Sequence, residues 1–219
     1  KGFGVQLAPT KDFDKPYVLI QTALLYTSTQ GDRRIRSLTV CMPSSKSPRQ
    51  ILESGNLIPI VSLMGKMAID KALESNLRVA REAIVNKCVA IMKQYKTLLG
   101  NSGVGAQMLP PALSLLPLYV LGLIKSPVFR SGSMGVTPDF RAAVCCLFKS
   151  SSIELATAMM YPRLYSIHNL APEMGQVDPN TGRTTMPAIL GLSSARIDRT
   201  GIYLLDNGIN IIVWIGGQA

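Results

Sequence analysis

The sequence predicts an α+β chain of several modules: strands first, then a run of helices, then the opening of a second, β-led α/β module. Three observations carry this. Residues 17–26, YVLIQTALLY, are rich in aliphatic, β-branched and aromatic types and suit a buried strand. Residues 78–99 repeat Ala80, Ile84, Cys88, Ile91, Tyr95 and Leu98 at three- and four-residue steps, while Arg81, Lys87, Lys93 and Lys96 avoid that stripe. Residues 202–215 place two apolar runs around Asp206-Asn207-Gly208, and Asn-Gly readily takes the positive φ angles of a type I′ hairpin turn.

The first strand ends at STQGD, residues 28–32, a turn cluster containing Gly31. Residues 34–42 then alternate, with Ile35, Leu38 and Val40 apolar and a break in register near Ser37. Two strands alone are marginal in water, so this hairpin is expected to join a larger sheet. SSKSPRQ, residues 44–50, reads as a linker, after which Leu63, Met64, Met67 and Ala68 fall on one helical face. GNSGVG, residues 100–105, is expected to stop the long helix that follows.

The most apolar segment, residues 109–124, holds three prolines and is about 16 residues long, short of the roughly 20 a bilayer span needs. It predicts a buried helix over about 111–125, entered through Pro110 and Pro111 and kinked at Pro117. RSGSMGVT, residues 130–137, reads as a loop. The next helix starts at Asp139 with Phe140, Val144, Leu147 and Phe148 inward. Ser151 and Glu154 have capping-box spacing for a short helix to Met160. Residues 161–187 read as an extended loop, and the strands 202–205 and 209–215 close the chain. An apolar hairpin there is expected to continue into more strands.

Charge is uneven along the 219 residues. Residues 1–50 carry eight bases and three acids, residues 51–130 nine and four, and residues 131–219 six and six. All of the net +10 therefore lies in the first 130 residues. A one-sided positive field suits an anionic surface, lipid or nucleic acid. Nucleic acid is disfavoured, because stacking needs aromatics among the bases and aromatics are 6% of the chain.

Catalytic and metal patterns do not emerge. His168, the one histidine, sits in a polar loop with no acidic neighbour before Glu173. Cys41, Cys88, Cys145 and Cys146 form no CxxC pair, so neither zinc nor a disulfide framework is expected. No glycine cluster follows a strand and opens a helix, which removes the phosphate and dinucleotide loops. Met64, Met67, Met92, Met159 and Met160 sit at helical spacing and are read as core.

Four stretches carry a family resemblance. ALLYTSTQGDRRIRSLTV (23–40) is similar to the last β-sandwich strands of the two large subunits of the COPII inner coat. LPLYVLGLIKS (116–126), MMYPRLYSIHNL (159–170) and GIYLLDNGINIIVWIG (201–216) resemble the cargo-adaptor subunit of that coat, the Sec-twenty-four family. The resemblance implies the end of a β-sandwich over residues 1–44, an all-α helical domain over 45–165, and a linker with the start of a gelsolin-like domain over 166–219. It further implies a non-catalytic coat subunit that selects cargo for transport from the endoplasmic reticulum to the Golgi.

Its implied partners are a GTPase-activating sister subunit, the coat's small GTPase, export-signal peptides, SNAREs and acidic lipid, with no nucleic acid. It implies a peripheral place on endoplasmic reticulum exit sites and vesicles, facing the cytoplasm. No cofactor is expected in these residues, the family's zinc finger lying outside them. The alternatives are the GTPase-stimulating sister subunit, with Arg196 or Arg199 as an arginine finger, and a basic nucleic-acid-binding module.

The candidate contact residues are Arg33, Arg34 and Arg36. Strand alternation puts Arg34 and Arg36 on one face and Arg33 on the other. The residues alone leave two roles open: adhesion to a membrane, or a solvated or inter-domain pairing face.

Overall fold

The computed structural model describes residues 2–100, 109–132 and 135–217. Strands β1 (Tyr17–Thr27) and β2 (Arg33–Pro43) open the chain as an antiparallel hairpin. Among the described residues six α-helices follow: α1 (Pro48–Glu53), α2 (Leu57–Glu74), α3 (Leu77–Leu99), α4 (Leu116–Lys125), α5 (Pro138–Ser150) and α6 (Ile153–Met160). A four-stranded antiparallel sheet ends the chain in the order β4 (Ile189–Leu190), β3 (Arg163–Ser166), β5 (Ile202–Asp206) and β6 (Ile211–Ile215).

The β1–β2 register runs unbroken from Tyr17 opposite Pro43 to Thr27 opposite Arg33. The break expected near Ser37 is absent: Ile35 simply points to the face opposite Leu38 and Val40. Among the described residues the hairpin pairs with no third strand. Both of its faces are open, and Ile35 is 72% exposed.

The core lies among the helices, where α2 and α3 pack side by side. Val61 and Ile69 of α2, Leu116 and Leu123 of α4, Phe148 of α5 and Met160 of α6 are all essentially inaccessible. Phe129 joins them from the turn after α4. The α3 stripe buries Ala80, Ile84, Cys88 and Tyr95 as its spacing predicts, while Ile91 is half-buried and Leu98, near the end of the helix, is exposed. Two other faces also differ from expectation. Met67 is 47% exposed, because α2 turns Val61, Ala68 and Ile69 inward instead. Phe140 and Leu147 are partly exposed, with only Val144 and Phe148 of α5 buried.

The helix expected over 111–125 is two elements, a single 3₁₀ turn at Pro111–Leu113 and then α4. Pro117 does not kink α4; it sits in the first turn, where a helix has no partner for the missing N–H. The cap of α6 is Ser152, whose Oγ accepts from the Leu155 N–H, and not Ser151. Ser151 instead ends α5, with its hydroxyl donating to the Phe148 carbonyl. The helix stop expected over 100–105 lies, from residue 101 on, outside the described residues. Gly100 itself caps α3 with φ +60°, a conformation suited to glycine.

The segment 161–187 is not all loop. Arg163–Ser166 forms β3, an interior strand between β4 and β5. Its apolar content is only Leu164 and Tyr165, both buried, too short a signal beside the surrounding proline and glycine. The turn at 206–208 is not type I′ either. Asn207 lacks a positive φ and only Gly208 has one, at +76°. A longer loop results: Asp206 joins β5, β6 begins at Ile211, and the Asn207 carboxamide oxygen accepts from the N–H groups of Ile209 and Asn210.

Candidate functional site

Arg33, Arg34 and Arg36 lie at the turn end of the hairpin, opposite Thr27, Tyr26 and Leu24. Arg34 and Arg36 share a face with Tyr26, and further along that face run Ile20, Leu38, Val40 and Met42. Arg34 donates to Asp32 at 2.9 Å, with both side chains more than half exposed. Such a pair contributes about 0–1 kcal/mol. The hairpin brings no other charged group to these three arginines.

A second cluster of arginines escaped the sequence reading. Arg81 of α3 donates to the carbonyl oxygens of Ile124, at 2.9 Å, and of Phe129. Arg141 of α5 donates to those of Pro127 at 3.0 Å, Val128 at 2.9 Å and Arg130 at 2.8 Å. The two guanidinium groups thus satisfy most of the carbonyls of the turn after α4 and fix its path. In the sequence Arg81 shows only that it avoids the apolar stripe of its helix. Nothing in local spacing pairs it with a turn more than 40 residues away.

That turn lies beside the junction of the helical bundle and the C-terminal sheet. Gly122 of α4 packs directly on the carbonyl of Met160, leaving no room for a side chain. Tyr161 stacks obliquely on Tyr119, with ring centroids 5.6 Å apart, and its hydroxyl accepts from the Leu192 N–H at 3.2 Å. The 207–210 loop seats Gly208 against Leu155 and Ala158 of α6, and Ile209 packs on the helical core. Arg163 and Asp206, paired across β3 and β5 at 2.6 Å, brace the same end of the sheet.

Lys66 is the one buried cation among the described residues, 9% exposed. Its Nζ donates to the Gly2 and Ser151 carbonyls, which ties the segment before β1 to the α5–α6 corner. Burial holds its amine below the ordinary lysine range. Burial likewise pushes the Cys88 and Cys145 thiols up, and the Tyr119 phenol up with a smaller contribution from Tyr161.

His168 is a packing residue. Its Nδ1 lies 3.0 Å from the Ile202 N–H nitrogen, and its ring meets Tyr203 edge-on at 5.2 Å. Among the described residues no group of three His, Cys, Asp or Glu side chains could hold a metal ion, and no helix is long and apolar enough to cross a membrane.

Known proteins share this arrangement. The profile of the Sec23/Sec24 helical domain matches residues 57–158, from the first residue of α2 into α6, and that of the gelsolin repeat matches residues 183–219. Human protein transport protein Sec24B is 36% identical over 98% of the chain, which covers 17% of Sec24B. Protein transport protein SEC24 of Pyricularia oryzae is 34% identical over 98% of the chain, which covers 22% of that protein. The crystal structure of the human COPII-coat protein Sec24c superposes on 92% of the chain with a TM-score of 0.77 and 29% identity, and the chain covers 25% of it. The chain therefore spans between about a sixth and a quarter of the length of these relatives. In its helical domain, in its gelsolin repeat and along nearly its whole length, the chain is thus similar to part of the Sec24 proteins.

Proposed function

We propose that this chain is part of a COPII coat subunit that selects cargo for vesicles moving from the endoplasmic reticulum to the Golgi. The observation that carries the reading is the similarity to Sec24 proteins along the whole chain, with hairpin, helical domain and gelsolin repeat in one order. The work is binding. The helical bundle is a rigid scaffold, and the hairpin and gelsolin-like sheet are the surfaces it holds apart.

The expected partners are the sister coat subunit, the coat's small GTPase, export-signal peptides and SNAREs. Acidic lipid is a further partner, supported by the basic excess of the first 130 residues. Each base near such a surface contributes about 1 kcal/mol, screened by salt. The place of action is the cytoplasmic face of endoplasmic reticulum exit sites and vesicles, held peripherally. Nucleic acid is not an expected partner.

The role is non-catalytic. Arg196 and Arg199 flank an exposed turn before β5 and are not expected to act on a nucleotide. Purification of the full polypeptide that carries this chain tests the reading. The sister subunit should copurify in equal amount, and the GTP-loaded coat GTPase should recruit the pair to acidic liposomes. Absence of the sister subunit overturns the proposal. In the assembled coat, Arg196→Ala with Arg199→Ala should leave GTP hydrolysis nearly unchanged. A loss approaching the roughly thousandfold of a removed arginine finger would instead favour the GTPase-stimulating subunit.

A further inference from the structure

We infer that the groove between α4, α6 and the loops bordering β4 and β6 is a docking site for an extended peptide segment of a partner protein, one that combines acidic and apolar side chains. The groove encloses about 320 Å³, at the lower end of the roughly 300–1,000 Å³ of ligand sites. Met159 and Met160 form its floor, buried and polarisable. Leu118, Leu121 and Leu192 line it while staying 39%, 48% and 39% exposed, so apolar surface faces water there. Two or three apolar side chains of a peptide would cover it.

Charge selects the rest of the occupant. Lys125 and Arg130 stand on the groove, and none of its lining residues is Asp or Glu. Neither cation is in an ion pair among the described residues. Arg130 donates to the Lys125 carbonyl at 3.2 Å, which holds its guanidinium beside the end of α4. Arg81 and Arg141 already hold the carbonyls of the intervening turn. The backbone under both cations and the Arg130 side chain are thus held, and a carboxylate meets them without reordering the backbone. A bilayer is the other source of negative charge. Adhesion to it sums many cations over a flat surface, whereas this site is concave, apolar and carries two. The inference needs only the groove. Failure of coat membership would leave it standing, and its own failure would leave coat membership untouched.

The test is panning of a random dodecapeptide library on the full chain, followed by titration of a labelled enriched peptide. Enriched peptides should pair Asp or Glu with Leu, Ile, Met or Phe. Lys125→Glu with Arg130→Glu should weaken the labelled peptide at least about tenfold and flatten its salt dependence, and Leu121→Glu should weaken it comparably. These side chains are exposed, so both variants should keep the wild-type circular dichroism and urea midpoint. No enrichment, enriched peptides without acids, or affinity unchanged in both variants would overturn the proposal. Phosphatidylserine vesicles and light scattering are run alongside. Vesicle binding that charge reversal abolishes, with no peptide enriched, would assign the groove to lipid and overturn it. A dimer of the chain that Leu121→Glu dissociates would overturn it in favour of a second copy.

Discussion

The ammonium of Lys66 stands 3.0 Å from the carbonyl oxygen of Ser151 and 3.2 Å from that of Gly2, with no carboxylate beside it. One side chain on α2 thereby joins the chain's first residues to the α5–α6 corner. Lys66→Met keeps most of the unbranched stem and removes the donor. It should cost about 1–3 kcal/mol in urea denaturation, because two carbonyls lose a partner in a buried place. The segment around Phe3 should become cleavable by protease. Burial lowers the folded amine's pKa, so the unfolded chain holds the extra proton in the range just below pH 10.5. Wild-type stability gains from this group as pH rises through that range, and the deficit of the variant should widen there.

Gly122 has no space for a methyl group, since a Cβ would press on the Met160 carbonyl, a backbone atom that cannot swing away. Gly122→Ala should therefore destabilise by about 1–3 kcal/mol as α4 and α6 are forced apart. Gly217 has nothing within 4 Å of a built Cβ, and Gly217→Ala should be close to neutral. Thermal unfolding of the two variants side by side checks the contrast.

The Cys88 and Cys145 thiols titrate above the ordinary range because burial disfavours the thiolate. The unfolded chain ionises them first, from about pH 8.5 upward. Their contribution is whole below that pH and is lost as pH rises toward the folded values. Wild type should lose stability there, and Cys88→Ala with Cys145→Ala should lose less per pH unit despite a lower starting point. Urea midpoints from pH 7 to 10 measure the two slopes.

Arg34 and Arg36 are exposed on one hairpin face, and Arg34 already answers Asp32. Arg34→Gln with Arg36→Gln should change stability by less than about 0.5 kcal/mol. If this face rested on a bilayer, two lost charges at about 1 kcal/mol each would weaken binding roughly thirtyfold. We expect less than about threefold in sedimentation of the full subunit with acidic liposomes. A thirtyfold loss that grows at low salt would make the face a membrane contact.

The long helix α3 and the hairpin β1–β2 were legible because periodicity is a local property. Ala80, Ile84 and Cys88 fall on one side of any helix drawn through them, and Arg34 and Arg36 share a face in any strand. The charge asymmetry was equally open to counting. Met67 shows where this ends: it sits at core spacing, yet α2 buries the neighbouring arc because that is where α3 and α4 lie. Ser151 and Ser152 offer the same hydroxyl, and the turn out of α5 decides which one caps α6.

By itself, then, the sequence determined the kinds of elements, their order and the family they resemble. Only the tertiary structure decided that Arg81 and Arg141 hold a turn, that Lys66 reaches residue 2 and residue 151, and that β3 is an interior strand. It also decided that Lys125 and Arg130 stand over an apolar groove. The physical reason is separation along the chain. These hydrogen bonds and packings join groups up to 85 residues apart, and spacing within one helix or strand carries no information about which distant carbonyl or sheet edge will be its neighbour.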